Sequence, residues 1–246
     1  MCNRCNLKRL KINSDVGEGV FKEGALMPYL NACSIACGGH YGNEHTMIKT
    51  AKLAMSYGVK IGAHPSYPDK TNFGRKEMLI SIGDLKDSLY DQISSLLLIL
   101  NNLGVYKLDH IKAHGALYHK CFVDDKIAKS FIEVVKSFKN VKILAPYKSV
   151  VSKIAEKHGV KVDYEVFLDR NYNDDYSLVS RAETNSMLEN GLEMSNRYKM
   201  VVNESKIKTI SNSLIDIVGD TFCVHSDTKN SHLLLNNFYE NYFSND

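Results

Sequence analysis

Short apolar stretches alternate along the chain with longer stretches of helical periodicity. Residues 10–15 alternate apolar and polar side chains and then meet a glycine-rich turn, as strand ends often do. Residues 43–57 place Met47, Ala51 and Ala54 on one helical face, and Gly58 follows where a helix would end. Asn43 is a residue type that caps helix starts. A strand followed by a helix is therefore the predicted repeating unit.

The same unit recurs about seven times. Further strands are predicted at residues 33–37, 59–64, 108–114, 141–146, 160–165 and 221–227. A long helix follows Ser81 and ends near Gly104, with apolar residues three and four apart at Leu85, Leu89, Ile93, Leu96, Leu97 and Leu100. Other helices are also predicted. One begins at about residue 124, and another ends at residue 158. A further helix follows a polar loop over residues 166 to about 185, and the last covers residues 233–238.

Strands that alternate with helices indicate a parallel sheet. Seven or eight units in 246 residues favour a closed β/α barrel of the TIM type, and an open doubly wound sheet is the structural alternative. The first strand is followed by no GxGxxG, and the chain has no GxxxxGK[ST] phosphate loop. We predict a single domain over residues 1–246, with residues 1–9 as a loose N-terminal extension.

Composition narrows the function classes. The net charge of +3 is too small to indicate nucleic-acid binding, and 44% hydrophobic residues are ordinary for a globular protein. The longest aliphatic run, residues 96–100, is far shorter than a membrane span, and no signal-peptide pattern opens the chain. We therefore expect a cytoplasmic protein that binds no membrane. Cys2 and Cys5 form a CxxC without a second pair, which favours free thiols over zinc.

Polar side chains cluster where the predicted strands end. Because the carboxyl ends of parallel strands converge on one face, residues far apart in sequence are expected to meet in one pocket. Any single histidine at a strand end is as well explained by a hydrogen bond to backbone, but four at equivalent ends favour a site. These strand-end residues are Asp15, Glu18, His40, His64, Lys112, His114, Glu165, Asp169, Arg170, His225 and Asp227.

These residue types indicate hydrolysis of a small anionic substrate. Carboxylates and neutral histidines act as general acids or bases, and Lys112 and Arg170 can stabilise negative charge. Aspartate and histidine ligands can also hold a divalent metal that activates water. The chain has no GxSxG, so no serine nucleophile is predicted.

Six motifs occur in a fixed order from about residue 11 to residue 227. They are NSDVGEG (13–19), SIACGGHYGN (34–43), GAHPSYPD (62–69) with NFGR (72–75), IKAHGALY (111–118), EVFLDRNY (165–172) and FCVHSD (222–227). Together they closely resemble the LamB/YcsF family of 5-oxoprolinase A subunits. The resemblance implies a distorted seven-stranded β/α barrel of the glycoside hydrolase/deacetylase type.

The resemblance also implies a reaction and partners. It indicates the A component of an ATP-dependent 5-oxoprolinase, which opens the lactam of 5-oxo-L-proline to L-glutamate. Subunits B and C would complete the enzyme, and ATP with Mg²⁺ would be handled together with them because this chain has no phosphate loop.

The family's motif positions carry over to this chain. Asp15 or His64 would act as a base toward water, and Lys112 and His114 would act on the oxygen or phosphoryl group. The residues implied as catalytic are Asp15, Glu18, His40, His64, Lys112 and His114. Those implied as substrate-binding are Tyr67, Asp69, Arg75, Tyr118, Glu165, Asp169, Arg170, His225 and Asp227.

Two other functions stay open at this point. The first is a stand-alone metal-dependent hydrolase such as a carbohydrate deacetylase, with Asp15, His40 and His64 as candidate metal ligands by analogy with the wider superfamily. The second is a non-catalytic subunit that binds substrate for its partners.

Overall fold

The computed structural model describes residues 10–20 and 23–244. The predicted N-terminal extension, with Cys2 and Cys5, lies outside the described residues, and the single-domain assignment stays a prediction. No helix among the described residues has the length and apolar character needed to cross a membrane.

Seven parallel strands form a closed barrel, as predicted. The described residues contain these seven strands and two others. In chain order all nine are β1 (Ile12–Val16), β2 (Ala32–Ala36), β3 (Lys60–His64), β4 (His110–Ile111), β5 (Lys142–Ala145), β6 (Val162–Phe167), β7 (Lys206–Lys208), β8 (Leu214–Asp216) and β9 (Thr221–Cys223). Strands β1 to β6 pair in sequence order, and β9 closes the barrel between β6 and β1. Strands β7 and β8 form a separate antiparallel hairpin, which the sequence reasoning did not predict.

Helices connect most of the barrel strands. They are α1 (Glu44–Ser56), α2 (Ile82–Asn102), α3 (Gly115–Val123), α4 (Asp125–Val135), α5 (Val150–Lys157), α6 (Gly191–Glu204) and α7 (Ser231–Ser244). A 3-10 helix covers Glu23–Tyr29 between β1 and β2. Helix α3 was not predicted, and the polar loop after β6 extends to the start of α6.

Side-chain caps explain why the first two helices start where they do. Asn43 accepts a hydrogen bond from the Thr46 amide, and the Thr46 hydroxyl accepts one from the Asn43 amide, so both residues satisfy groups that the helix leaves unpaired. Ser81 accepts from the Asp84 amide at the start of α2. Both caps stand where the sequence predicted helix starts.

Helix α2 buries the predicted apolar stripe against the barrel. Leu85, Leu89, Ile93, Leu96 and Leu100 are all fully buried, whereas Leu98 on the opposite face is 63% exposed. Burying each leucine side chain contributes about 1.5–3 kcal/mol to folding. The packed helix therefore holds β3 and its neighbours in place on this side of the barrel.

Leu96→Ala is expected to lower the free energy of unfolding by about 2–5 kcal/mol because it leaves a cavity in the core. Leu98→Ala, two residues away on the exposed face, should change it by no more than about 0.5 kcal/mol. Urea unfolding followed by circular dichroism measures both, and equal effects would contradict this packing.

Candidate active site

A cavity of about 380 Å³ lies at the carboxyl ends of the barrel strands. We call it the charged pocket, because its walls carry carboxylates, histidines, a lysine and arginines. It brings together most of the site residues predicted from the sequence. Those that line it are Asp15, Glu18, His64, Arg75, Lys112, His114, Tyr118, Arg170, His225 and Asp227.

A buried lysine lies between two carboxylates at the bottom of this pocket. The Lys112 Nζ atom is 2.9 Å from Asp15 Oδ2 and 2.9 Å from Glu165 Oε1. The Tyr118 hydroxyl donates to the other oxygen of Glu165 at 3.0 Å, and Lys112 Nζ is 3.3 Å from the sulfur of Cys223.

The attraction between Lys112 and Asp15 helps to keep both ionised despite burial. Burial alone would lower the pKa of Lys112, but Asp15 and the other negative groups around it together raise this pKa well above its ordinary value. Burial would likewise raise the pKa of Asp15, and His64 together with Lys112 holds it well below its usual range. Asp15 Oδ1 is buried and has no hydrogen-bond partner among the described residues.

Glu18 is the centre of a cluster of three histidines. Its Oε1 atom is 2.9 Å from His40 Nε2, 3.3 Å from His114 Nδ1 and 3.8 Å from His64 Nε2. Burial would raise the pKa of Glu18, but its close contacts with His114 and His40 lower it below its ordinary value. Glu18 is therefore an anion at neutral pH.

Backbone carbonyls fix which nitrogens of two histidines carry hydrogen. His64 Nδ1 faces the Lys112 carbonyl at 2.9 Å, and His114 Nε2 faces the Phe73 carbonyl at 2.9 Å. A carbonyl only accepts, so both of these nitrogens donate. The remaining nitrogens, His64 Nε2 and His114 Nδ1, face each other at 3.0 Å.

One proton lies between these two facing nitrogens. Burial would lower the pKa of His64, but Asp15 raises it above the ordinary value. Burial lowers the pKa of His114 below the ordinary value. We therefore assign the proton to His64 Nε2, which lies 3.0 Å from His114 Nδ1 and 3.4 Å from Asp15 Oδ2, and leave His114 neutral.

His40 lies behind Glu18 rather than in the pocket wall. Its ring stacks on His114 at 3.6 Å between centroids, its side chain is buried, and its Nε2 donates to Glu18. Burial lowers the pKa of His40 to about 4, so it is neutral at ordinary pH. The sequence predicted His40 as catalytic; the geometry gives it the task of orienting Glu18, and direct contact with substrate stays a prediction.

Four residues predicted to bind substrate also lie outside the pocket wall. Asp69 accepts hydrogen bonds from the amide and side chain of Asn72 and so shapes a turn. Tyr67 is buried in the core, and Glu165 lies behind Lys112. Asp169 accepts from the His225 amide and from Thr228, which fixes the loop after β9. Their direct contact with substrate stays a prediction.

Residues 10–244 match the model of the LamB/YcsF family. The chain belongs to the LamB/YcsF family. This confirms the resemblance carried by the six motifs, and the matched range covers every residue of the charged pocket.

Relatives with assigned names are similar over most of their length. The 5-oxoprolinase A subunit of Campylobacter jejuni serotype O:6 is 38% identical over 225 residues, which are 89% of this chain and 88% of that protein. The 5-oxoprolinase A subunit of Pyrococcus abyssi is 37% identical with the same coverage. The crystal structure of a lactam utilization protein from Thermus thermophilus superimposes with a TM-score of 0.87 at 28% identity, covering 96% of both chains.

Within this LamB/YcsF site, the long loop after β6 supplies an arginine that sequence reasoning missed. Arg181 holds both oxygens of Asp227 at 3.0 and 3.2 Å, and Arg75 donates to the same carboxylate from the loop after β3. Arg170 is buried, and its Nε has no hydrogen-bond partner among the described residues. Three guanidinium groups thus face one side of the pocket, where a carboxylate or phosphoryl group would bind. The loop's position after a strand end was the available signal.

Within residues 10–20 and 23–244, two groups of side chains have atoms close enough to share a metal ion. Glu18, His64 and His114 offer atoms 3.0 to 3.8 Å apart, and both histidines direct an unprotonated nitrogen inward when neutral. These residues fit a divalent metal. The other group, Asp15, Cys223 and His225, fits poorly because burial raises the pKa of the Cys223 thiol well above its ordinary value. His40 belongs to neither group, so a metal held by Asp15, His40 and His64 has no geometric support.

Asp169 is expected to make folding sensitive to acid. Burial would raise its pKa, but His225 and Thr228 lower it to about 2. Its stabilisation is therefore complete above the unfolded value near 4 and is lost as pH falls through about 2. Asp169→Asn should remove this part of the acid dependence and cost on the order of 2 kcal/mol at pH 7.

Urea unfolding at a series of pH values between about 2 and 7 measures this effect. Asp87→Asn on the exposed face of α2 changes net charge equally and should keep the wild-type acid dependence. An unchanged acid slope in Asp169→Asn would show that this carboxylate does not stabilise the loop as described.

Proposed function

We propose that this chain is the A component of an ATP-dependent 5-oxoprolinase. The complex would open the lactam of 5-oxo-L-proline to L-glutamate and convert ATP to ADP and phosphate, with subunits B and C as partners. The relatives named as 5-oxoprolinase A subunits support this function. The observation that carries it is the site itself, where nitrogens of His64 and His114 face each other at 3.0 Å beside the buried ion pair of Lys112 and Asp15.

The chemistry of the lactam explains why ATP would be needed. An unstrained amide is a poor electrophile, and a phosphoryl group on its oxygen makes the ring carbon easier to attack. Water then adds to that carbon, the C–N bond breaks, and the ring nitrogen takes a proton to become the amine. A second water cleaves the resulting acyl phosphate, which gives glutamate and inorganic phosphate and balances the reaction.

The residues of the charged pocket supply the proton transfers and charge for these steps. When His64 Nε2 donates to Asp15 instead of to His114, the Nδ1 lone pair of His114 is free to take a proton from the attacking water, and His64 is the protonated acid for the leaving nitrogen. Lys112 stabilises negative charge that develops on the oxygen. Arg170 would bind the substrate carboxylate. This assignment of roles favours His114, rather than Asp15 or His64, as the base toward water.

His114→Asn is expected to lower the turnover of the assembled complex by about 100-fold or more, because it removes the neutral base. His45→Gln, an exposed change on α1, should leave turnover unchanged. Glutamate release from 5-oxo-L-proline with ATP and Mg²⁺ is measured with this chain alone and with B and C. Release is expected only from the full complex.

Two outcomes of this experiment would contradict the proposal. Full activity with folded His114→Asn would favour the non-catalytic, substrate-binding subunit. No release from a confirmed complex of folded wild-type subunits would remove the lactam-opening function.

The converging atoms of Glu18, His64 and His114 favour one second candidate, a metal-dependent hydrolase. A bound metal would supply Lewis-acid activation of water there. If this candidate holds, purified protein carries close to one equivalent of divalent metal, and Glu18→Gln lowers that content at least tenfold. Thr46→Ala at the exposed cap of α1 should not alter it. Elemental analysis after dialysis decides, and protein without metal that still opens the lactam in the complex would exclude this candidate.

A further inference from the structure

A second cavity of about 270 Å³ lies beside the charged pocket, and we call it the aromatic pocket. Rings supply much of its wall, from helix α3, from the end of β6 and from the long loop after it. Its ring-bearing lining residues that do not also line the charged pocket are Phe122, Tyr172 and Tyr176. Among the predicted site residues only Tyr118 lines this cavity, and the proton transfers described above do not use it.

The aromatic pocket adjoins the charged pocket. Tyr118, His119, Phe167 and Leu178 line both cavities. A ligand with one flat, apolar end and one polar end matches this adjacency, with one end in each cavity. 5-Oxo-L-proline, a single small polar ring, offers no group for the aromatic side.

The tyrosine hydroxyls of the aromatic pocket are already engaged. Tyr118 donates to Glu165 at 3.0 Å, and Tyr172 accepts from the Phe167 amide at 2.8 Å. Tyr176 accepts from Lys148 at 2.7 Å. The tyrosines therefore offer ring surface rather than hydroxyl groups, and ring surface suits a planar heteroaromatic group that stacks.

The charged pocket suits an anionic chain. Arg75 and Arg181 line the charged pocket, and each guanidinium group has five N–H donors, of which Asp227 takes one from Arg75 and two from Arg181. Guanidinium groups bind phosphate oxygens well. The two cavities together therefore match a ligand with a planar ring at one end and phosphates at the other.

We propose that the aromatic pocket binds the adenine ring of ATP and directs its phosphate chain into the charged pocket. The inference rests on the proposed function, from which the need for ATP comes. The inference assigns recognition of the adenine ring to this chain, although the chain lacks a phosphate loop. Partner subunits would complete the contacts to the phosphates.

Binding to the full chain tests the proposal by calorimetry with two probes, Mg²⁺–ATP and Mg²⁺–tripolyphosphate. Tripolyphosphate carries the phosphates without the ring. Wild-type protein should bind ATP about tenfold or more tightly than tripolyphosphate, since stacking of one base has that magnitude. Tyr176→Ala and Phe122→Ala should each remove most of this advantage and leave tripolyphosphate affinity unchanged.

Two control variants isolate the ring contribution. Tyr176→Phe keeps the ring and should keep the preference for ATP. Tyr106→Ala removes a tyrosine that is 79% exposed and lines neither pocket, so it should bind both probes as wild type does. Equal wild-type affinity for the two probes, or an unchanged preference in folded Tyr176→Ala and Phe122→Ala, would overturn the proposal.

The assembled complex separates failure of this inference from failure of the proposed function. If Tyr176→Ala raises the KM for ATP about tenfold while the KM for 5-oxo-L-proline stays constant, both stand. If the complex opens the lactam but Tyr176→Ala changes only how tightly the subunits associate, the pocket binds a partner and the inference falls. If ATP binds as expected but no complex opens a lactam, the inference stands and the reaction is wrong.

Discussion

The ammonium group of Lys112 is buried at the centre of the barrel, and the structure around it depends on keeping it charged. Asp15 from β1 and Glu165 from β6 each place a carboxylate oxygen 2.9 Å from Lys112 Nζ, although the two residues are far apart in sequence. Removing one partner of such a buried group typically costs about 3–5 kcal/mol, because an uncompensated charge remains. The ion pairs therefore tie the first and sixth strands to the end of β4, and this arrangement fixes the bottom of the pocket.

The charged groups around Lys112 also determine which histidine holds the proton that lies between His64 Nε2 and His114 Nδ1. Asp15 raises the pKa of His64, so the proton stays on His64 rather than on His114. Since two carbonyls fix the outer nitrogens, the only variable is the proton between the inner nitrogens. Charge compensation for Lys112 and acid–base function are thus linked through one carboxylate, which explains why both depend on residues from different strands.

Sequence reasoning predicted the barrel and most of the pocket, because strand ends of a parallel barrel must converge. It could not separate residues in the pocket wall from residues one layer behind. His40 and Lys112 both follow strands, yet only Lys112 faces the cavity, and that difference depends on side-chain directions. Helix α3 was missed because His114 at its start makes no capping hydrogen bond and Gly115 follows, so no start signal is present. Arg181 was missed because its position depends on the folding of a long loop.

Two glycines explain how the loop after β3 comes close enough to fix the His114 ring. A side chain on Gly74 would lie 2.9 Å from His40 and 3.1 Å from the His114 ring, and one on Gly115 would lie 2.5 Å from the Gly74 carbonyl. Both glycines adopt positive φ angles that other residues rarely adopt. Because neither Gly74 nor Gly115 has a side chain beyond a hydrogen atom, the loop packs directly on the stacked rings of His40 and His114. The Phe73 carbonyl thereby lies 2.9 Å from His114 Nε2. Backbone geometry, rather than another charged group, therefore selects which nitrogen of His114 carries hydrogen.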